Sequence, residues 1–376
     1  MSRRGWRTAV AGLALAAGAT APLAAQQDEG AAIDSAYAAI LASRLDTGTT
    51  FQVVPVVFVG PLTGLAFGAA TLEVGRRTTD TGTRPSVKQA QLIYTTKDQV
   101  QLSFEADLWS FRNEAGLSAR LEYQLFPMPF YGIGPATSPL ALETYTSQRL
   151  MFTALLQRKV APALYLQAGW RVVDQVIART EAGGALAPGT LSGSRGGSIV
   201  GLDLGAKLDT RESGFSPTRG ALVQARVQRA EPAIGSSFGF TRLGLDARGY
   251  VPLRRSTTLA LHATADQADG DVPFDQLPMV DGFGSMRGYV PGRFRDRVLV
   301  TAQAELRQRL VWRLGAVVFG GGGAVGPRFG ALGPWQPSVG AGIRFAILPK
   351  VGANLRVDVG IGRGERAVKV SFGEAF

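Results

Sequence analysis

The sequence contains no cysteine, and it is poor in charged residues and in histidine. Only 18% of its 376 residues are Asp, Glu, Lys or Arg, compared with about a quarter in typical soluble proteins. The absence of cysteine excludes a disulfide framework and a thiolate nucleophile or metal ligand. Because there is a single histidine, His262, the chain also lacks the paired histidines of zinc hydrolases. We therefore expect no metal and no cofactor.

Long apolar runs are missing too, except at the N-terminus. Three arginines among the first seven residues precede a stretch rich in Ala, Leu and Gly at 9–25, and polar residues follow it. This order is typical of an export signal, so we expect residues 1–25 to be a signal peptide that is cleaved after Ala25. Residues 26–50 would then form a short periplasmic segment, and 51–376 one outer-membrane domain. An uncleaved membrane anchor is the alternative.

Glycine is abundant instead, with 48 residues, and the formal net charge is +11. So much glycine disfavours long helices, because each interior glycine costs about 1 kcal/mol relative to alanine. The basic residues are spread singly along the chain. A nucleic-acid-binding surface would gather them into a patch or stripe, so we expect no nucleic acid as a partner.

A period of two dominates the sequence after residue 50. Between 298 and 307, for example, small apolar residues alternate with polar ones such as Gln303 and Glu305. Strict alternation of this kind indicates strands with one apolar and one polar face. Turn residues separate such segments. Sixteen segments follow the pattern: 51–59, 64–76, 86–95, 99–109, 115–125, 148–158, 163–177, 197–209, 220–230, 238–250, 256–267, 298–310, 313–324, 337–347, 352–362 and 366–376.

The pattern predicts an all-β fold, a transmembrane antiparallel β-barrel of about sixteen strands. An even strand number with mixed short turns and long loops is typical of outer-membrane barrels. In a barrel the apolar face contacts lipid, the polar face lines a wet lumen, and closure pairs the backbone groups. A secreted sandwich or solenoid is the alternative. The barrel would contact outer-membrane lipids and lipopolysaccharide, and it would need the outer-membrane assembly machinery for its own insertion.

The last segment carries a candidate assembly signal. Val368, Val370, Phe372, Glu374 and Phe376 would share one face of an alternating strand. Bacterial barrels present an aromatic residue at the end of such a strand for insertion into the membrane. We therefore expect Phe372 and Phe376 to form the C-terminal assembly signal.

Five stretches of the sequence carry recognisable motifs. They read GPLTGLAFG at 60–68, FPMPFYGIG at 126–134, LDTRESGFSPTRG at 208–220, GFGSMRGY at 282–289 and SFGEAF at 371–376. In this order and spacing they resemble the bacterial surface-antigen superfamily, which includes the BamA-like and TamA-like outer-membrane assembly factors. Because residues 26–50 are too few for a POTRA domain, the resemblance is to a short member that consists of the barrel only.

The resemblance implies that the sixth extracellular loop, between strands eleven and twelve, folds into the barrel. Arg287, Gly288 and Tyr289 would form the tip of this loop. Glycine would allow a tight turn, and a confined arginine needs an acidic partner on the inner wall. A solvated loop arginine is the alternative.

The acidic partner of Arg287 is not where the resemblance would put it. Relatives often carry the acid in a segment that here reads FGGGG at 319–323, without an acid. The candidates are therefore Asp358 and Glu305, which lie on the polar faces of two predicted strands.

A second implied motif is the turn between strands eight and nine. It is represented by Asp209, Arg211, Pro217 and Gly220.

The resemblance implies a role in inserting, assembling or translocating proteins or lipids at the outer membrane. Client proteins or a separate periplasmic partner would be involved. A passive pore or a structural surface antigen is the main alternative. A hydrolase that uses His262 comes third, because no Gly-x-Ser-x-Gly elbow or phosphate-binding loop accompanies this histidine. The arginines and acids of the polar faces would form salt-bridge ladders or give a mildly anion-favouring lumen.

Overall fold

The computed structural model describes most of the chain beyond residue 47. The residues described are 16–17, 48–60, 64–76, 82–187, 189–214, 216–280, 286–348 and 353–376. Among them no helix is long and apolar enough to cross a membrane. The predicted signal peptide, its cleavage after Ala25 and the segment 26–50 lie almost entirely outside the described residues. The first four residues of the motif before Arg287, at 282–285, do so as well.

Within the described residues, sixteen long strands, β1 to β16, follow one another along the chain. Three-residue 3-10 turns occur in four of the connections. Each strand overlaps one of the predicted segments, and the prediction of an all-β antiparallel fold is confirmed. The strands span Gly48–Gly60, Gly64–Arg76, Ser86–Thr95, Val100–Trp109, Ala115–Phe130, Glu143–Ala161, Leu164–Arg179, Gly196–Asp209, Gly220–Ala230, Phe240–Arg254, Thr257–Gly270, Val298–Arg309, Leu314–Gly326, Gln336–Leu348, Ala353–Gly362 and Glu365–Phe372.

Every strand pairs with the next one in sequence. Registers are described for all fifteen antiparallel pairs, from β1 with β2 to β15 with β16. Ala16–Ala17 runs parallel to β1 beside Phe58 and Val59. The sheet curls on itself, as a contact across one of its faces shows. Arg295, just before β12, donates a hydrogen bond to the Pro129 oxygen of β5, a strand far from β12 in the order of the sheet. One face of the sheet therefore encloses an interior.

The burial of the strands is the reverse of that in a soluble protein. On β3, Leu92 is 52% exposed whereas Gln91 is 9% exposed. On β13, Val318 is 56% exposed and its neighbour Phe319 lies inside. Because alternate residues of a strand point to opposite faces, the apolar set lies outside and the mostly polar set inside. This arrangement is the one a barrel adopts when its outer face contacts lipid.

The hairpin of β5 and β6 is longer than the sequence predicted. The predicted strands cover 115–125 and 148–158, but pairing continues to Phe130 opposite Glu143. Two prolines, Pro127 and Pro129, interrupted the pattern. They are tolerated because β4 pairs with β5 only as far as residue 125, so that side of the extension has no strand to which an N–H would donate.

The final strand is shorter than predicted, and its end turns inward. The prediction of a strand over 366–376 is wrong beyond Phe372. Gly373 has a φ of 75°, in the left-handed region that glycine favours, and its N–H donates to the Asn354 oxygen at 2.8 Å. Phe376 is consequently buried against Tyr250 and Ala260 rather than aligned on the outer face of β16.

Candidate functional site: a loop docked inside the barrel

Residues 271–297 join β11 to β12, and we call them loop six. Its described residues form a small apolar cluster that includes Val280, Met286, Tyr289 and Phe294, all buried. Backbone hydrogen bonds fold the loop on itself, for example from the Val280 N–H to the Phe294 oxygen at 2.9 Å. The loop thus carries its own apolar core into the barrel.

Arg287 lies at the inner tip of loop six and is 2% exposed. Its Nη1 is 2.6 Å from Oε2 of Glu305 on β12 and 3.1 Å from Oδ2 of Asp358 on β15. The structure therefore brings Arg287 together with both of the acids proposed from the sequence. In a third contact, Nε of Arg287 donates to the Gln303 side chain at 3.3 Å.

The aromatic ring of Phe319 supports the same guanidinium. The Arg287 carbon Cζ lies 3.5 Å from the centre of this ring, which is within the range of a cation–π interaction. The resemblance led us to expect an acid in this segment, and β13 supplies an aromatic face instead. The two carboxylates come from β12 and β15, which flank β13 and β14.

The wall beside loop six is nearly bare, which lets the loop backbone approach closely. Gly288 has a φ of 98°, a conformation that glycine adopts without strain. A Cβ added at Gly360 would lie 2.6 Å from the Gly288 nitrogen, and one at Gly323 would lie 2.8 Å from the Met286 sulfur. The glycines of β13 and β15 therefore form the groove in which loop six sits.

Tyr289 fixes the loop through its hydroxyl group. The hydroxyl donates to the Pro337 oxygen at 2.7 Å and accepts from the Arg363 N–H at 2.8 Å. Its ring fills the space above Gly362, where an added Cβ would lie 2.4 Å from the ring. Burial raises the pKa of this phenol, so it stays protonated and can donate at neutral pH.

Two further loop-six arginines were missed by the sequence analysis. Arg293 contacts Glu365 of β16 at 2.5 Å and donates to the Thr137 hydroxyl at 2.7 Å. Arg295 donates to backbone oxygens of Phe274 and Pro129. Their alternation in the stretch RFR at 293–295 was the available signal, but the partners lie far away in sequence.

The acids that receive Arg287 are shared with other arginines of the wall. Arg307 contacts Glu305 at 2.7 Å, and Arg344 contacts Asp358 at 2.5 Å. Arg344 also contacts Glu374 at 2.8 Å. We call these residues the arginine–carboxylate cluster. Its members are Arg287, Arg307, Arg344, Glu305, Asp358 and Glu374, together with Arg356, whose Nη1 lies 3.9 Å from Asp358.

The residues between β8 and β9 form a turn that is held by an ion pair and hydrogen bonds among its own side chains and backbone. Arg211 contacts Asp209 at 2.9 Å, and Gly220 has a φ of 94°. Glu212 accepts from the N–H and hydroxyl of Thr218 at 2.6 and 2.7 Å. Partial burial opposes ionisation of Glu212, but these hydrogen bonds hold the pKa of its carboxyl below the ordinary value. The turn therefore favours the charged form of Glu212.

Arg307 links this turn and the tail after β16 to the cluster. Its Nη2 donates to the backbone oxygen of Phe376 at 2.9 Å, and its Nη1 approaches the Pro217 oxygen at 3.5 Å. Phe376 thus lies inside the barrel. The side chain of Phe372 lies outside the described part of the chain.

Elsewhere the inner wall carries ion pairs both within a strand and between neighbouring strands. Arg120 pairs with Glu122 at 2.5 Å on β5, and Arg248 pairs with Asp246 at 2.7 Å on β10. Arg242 of β10 pairs with Asp266 of the neighbouring strand β11. These contacts have the salt-bridge-ladder arrangement that was one of the two alternatives for the lumen.

The single histidine lies in this wall rather than in a hydrolytic arrangement. The His262 ring stacks on Phe376 with ring centres 4.8 Å apart, and its Nε2 is 3.4 Å from Asp246. Within the described part of the chain, no serine hydroxyl hydrogen-bonds to His262, and no group of acidic and histidine side chains has the arrangement of a metal site.

Comparisons with known proteins agree with this architecture. Residues 77–374 match the Omp85 superfamily domain. No curated protein matches the sequence. Among solved structures, the chain is similar to a BamA from Haemophilus ducreyi lacking POTRA domains 1–3, with 14% identity and a TM-score of 0.59. That match covers 87% of this chain and 70% of the other.

Two CdiB structures are also similar in fold. CdiB from Acinetobacter baumannii has 10% identity and a TM-score of 0.56, covering 88% of this chain and 66% of its own. CdiB from Escherichia coli has 10% identity and a TM-score of 0.55, covering 86% of this chain and 61% of its own. At these identities the likeness concerns the fold, whereas the domain match extends over most of the sequence. The chain belongs to the Omp85 superfamily.

Proposed function

We propose that this protein acts in the outer membrane in the insertion, assembly or translocation of polypeptides or lipids. Family membership supports this role, and so does the barrel fold shared with BamA and CdiB. The single observation that carries the proposal is the docked loop six, whose Arg287 is held by carboxylates of β12 and β15.

In this proposal, Arg287, Gly288 and Tyr289 are positioning residues. They hold loop six against the inner faces of β12 to β15, and so they couple the loop to the last strands of the sheet. Phe372 and Phe376 belong to an assembly signal in the same proposal, although Phe376 lies inside the folded barrel. Its signal role would then belong to the chain before folding.

The lipids and proteins that we expect around the barrel follow from its apolar outer face and from its family. Exposed apolar residues such as Leu92 and Val318 would contact the acyl chains of phospholipids and lipopolysaccharide. The assembly machinery would insert the barrel, and a separate periplasmic partner would deliver clients. These partners are part of the proposal.

The test is reconstitution of the purified barrel into liposomes with an unfolded outer-membrane client. We expect faster folding of the client than in empty liposomes, and a several-fold loss of this effect in Arg287→Ala. Arg226→Ala is the matched control, because Arg226 lies on β9 outside the arginine–carboxylate cluster and hydrogen-bonds Gln224. Equal folding in empty and protein-containing liposomes, with several clients, would contradict the proposal.

A passive pore is the second candidate, because polar residues line the interior. Planar-bilayer recordings distinguish the two functions. Steady, large conductance that does not change when loop six is cross-linked to β15 would favour the pore. Low, flickering conductance together with client folding would favour the assembly role.

A further inference from the structure

Three buried guanidinium groups of the arginine–carboxylate cluster lie close together at the inner tip of loop six. Arg287, Arg344 and Arg356 are 2%, 5% and 4% exposed. Arg344 and Arg356 lie directly opposite each other in the register of β14 and β15. Both Arg287 and Arg344 also contact Asp358, and Arg356 lies 3.9 Å from the same carboxylate. The three side chains therefore share one small region of the interior.

Each of these arginines keeps at least one N–H group without a hydrogen-bond partner in the described part of the chain. The groups are Nη2 of Arg287, Nη2 of Arg344, and Nε and Nη1 of Arg356. Nη2 of Arg344 and Nη1 of Arg356 lie 3.6 and 3.9 Å from carboxylate oxygens, beyond hydrogen-bonding distance. Buried polar atoms are nearly always hydrogen-bonded, so an orphaned set in one place needs an explanation. All of these atoms are donors, since guanidinium has no acceptor.

The side-chain charges of the cluster do not balance either. Its four arginines surround three carboxylates, Glu305, Asp358 and Glu374. Water can accept hydrogen bonds from the orphaned N–H groups, but it cannot neutralise the excess positive charge. Uncompensated buried charge is costly.

We propose that the cluster binds a small inorganic oxyanion of the phosphate or sulfate type between Arg287, Arg344 and Arg356. Guanidinium groups bind oxyanions through charge-assisted hydrogen bonds from several N–H donors at once. The anion would supply the missing acceptors and lower the excess charge. Because the three arginines come from loop six, β14 and β15, it would also fasten the loop to the wall.

The site does not depend on the proposed role in assembly. A barrel that assembles no client would still bind the anion, and an assembly factor could hold loop six through Glu305 and Asp358 alone. Failure of one proposal therefore leaves the other testable.

The experiment titrates inorganic phosphate into the purified, detergent-folded barrel at constant ionic strength, with chloride as the balancing ion. The measured quantity is the temperature at which the heat-modifiable folded band disappears on a gel. A specific site predicts saturation at low millimolar phosphate and a rise of about 2 °C or more. General salting-out by phosphate predicts a shallow increase without saturation.

Arg356→Gln should abolish the saturable part of the shift, because it removes two of the orphaned donors. Arg171→Gln is the matched control, since the Nε of Arg171 likewise has no hydrogen-bond partner and lies 3.7 Å from Asp203 on another part of the wall. If Arg356→Gln does not fold, Arg356→Lys, which keeps the charge, should weaken the phosphate effect several-fold. The proposal would be overturned in favour of bound water if the transition temperature of the wild-type barrel were the same in phosphate and in chloride. A rise that is only linear in phosphate concentration would overturn it too.

Discussion

Replacing Arg287 with alanine should release loop six, but at a smaller free-energy cost than replacing its main partner, Glu305. Removal of Arg287 leaves each carboxylate with another close arginine. Glu305 keeps Arg307 at 2.7 Å, and Asp358 keeps Arg344 at 2.5 Å. Neither acid is therefore stranded. In the Glu305→Ala variant, by contrast, the cluster loses one of three carboxylates and its excess of positive charge rises.

The magnitudes follow from this difference. Breaking a buried ion pair typically costs about 3–5 kcal/mol, because an uncompensated charge remains. We expect about 2–3 kcal/mol for Arg287→Ala, since both acids retain partners and the loss includes the contact with Phe319. For Glu305→Ala we expect roughly 3–5 kcal/mol. In the double variant the two costs should fall short of additivity by at least about 1 kcal/mol, as expected for residues in direct contact.

Two measurements would check the prediction. Proteinase K should cut loop six faster in Arg287→Ala, and the folded barrel should lose its compact gel mobility at a lower temperature. Trypsin is unsuitable because the substitution removes one of its cleavage sites. Arg226→Ala controls for loss of an arginine from the wall. If Arg287→Ala behaves like the wild type, or costs more than Glu305→Ala, the account of the shared carboxylates is incorrect.

Three further predictions follow from the same structure. Gly360→Val should undock loop six at a cost of about 1–3 kcal/mol, seen as faster proteolysis, whereas Gly244→Val should not, because an added Cβ there meets nothing within 4 Å. The lowered pKa of Glu212 means that its stabilisation is present above the pKa of about 4.3 in the unfolded chain and is lost as the pH falls through the folded pKa. Glu212→Gln should therefore flatten the acid end of the stability curve, and an unchanged curve would contradict this. Arg293→Ala should free loop six from Thr137 and Glu365 and increase hydrogen exchange in the loop without unfolding the sheet, so global unfolding would count against it.

Much of the fold could be predicted from the sequence because each strand of a barrel has an apolar outer face and a polar inner face, so apolar and polar residues alternate along it. The sixteen strands were recognisable for this reason, including those with many glycines such as β13. The errors arose at strand ends, where pairing partners decide the length. The predicted strand ended at residue 125, before Pro127 and Pro129, but these prolines are accommodated in β5 because β4 has already ended beside them. Gly373 gave no signal that the tail would turn into the interior.

The site was predictable only in part. The motif around Arg287 suggested an inward loop, and the missing acid in the stretch 319–323 directed attention to other strands. The contacts of Arg344, Arg293 and Glu365 depend on how distant strands curve towards each other, which alternation does not encode. A long arginine side chain also reaches several possible acids, so its partner is set by geometry rather than by spacing in the sequence.

The glycines facing loop six have a consequence for any attempt to open the barrel. Deleting the loop would leave the groove along β13 and β15 empty and its backbone exposed, because Gly323 and Gly360 have no side chains to fill it. Loop six therefore fills the space that side chains of β13 and β15 would occupy in another barrel. To design a wider channel, one would first have to replace these glycines of β13 and β15 with residues that cover the backbone, and only then remove the loop.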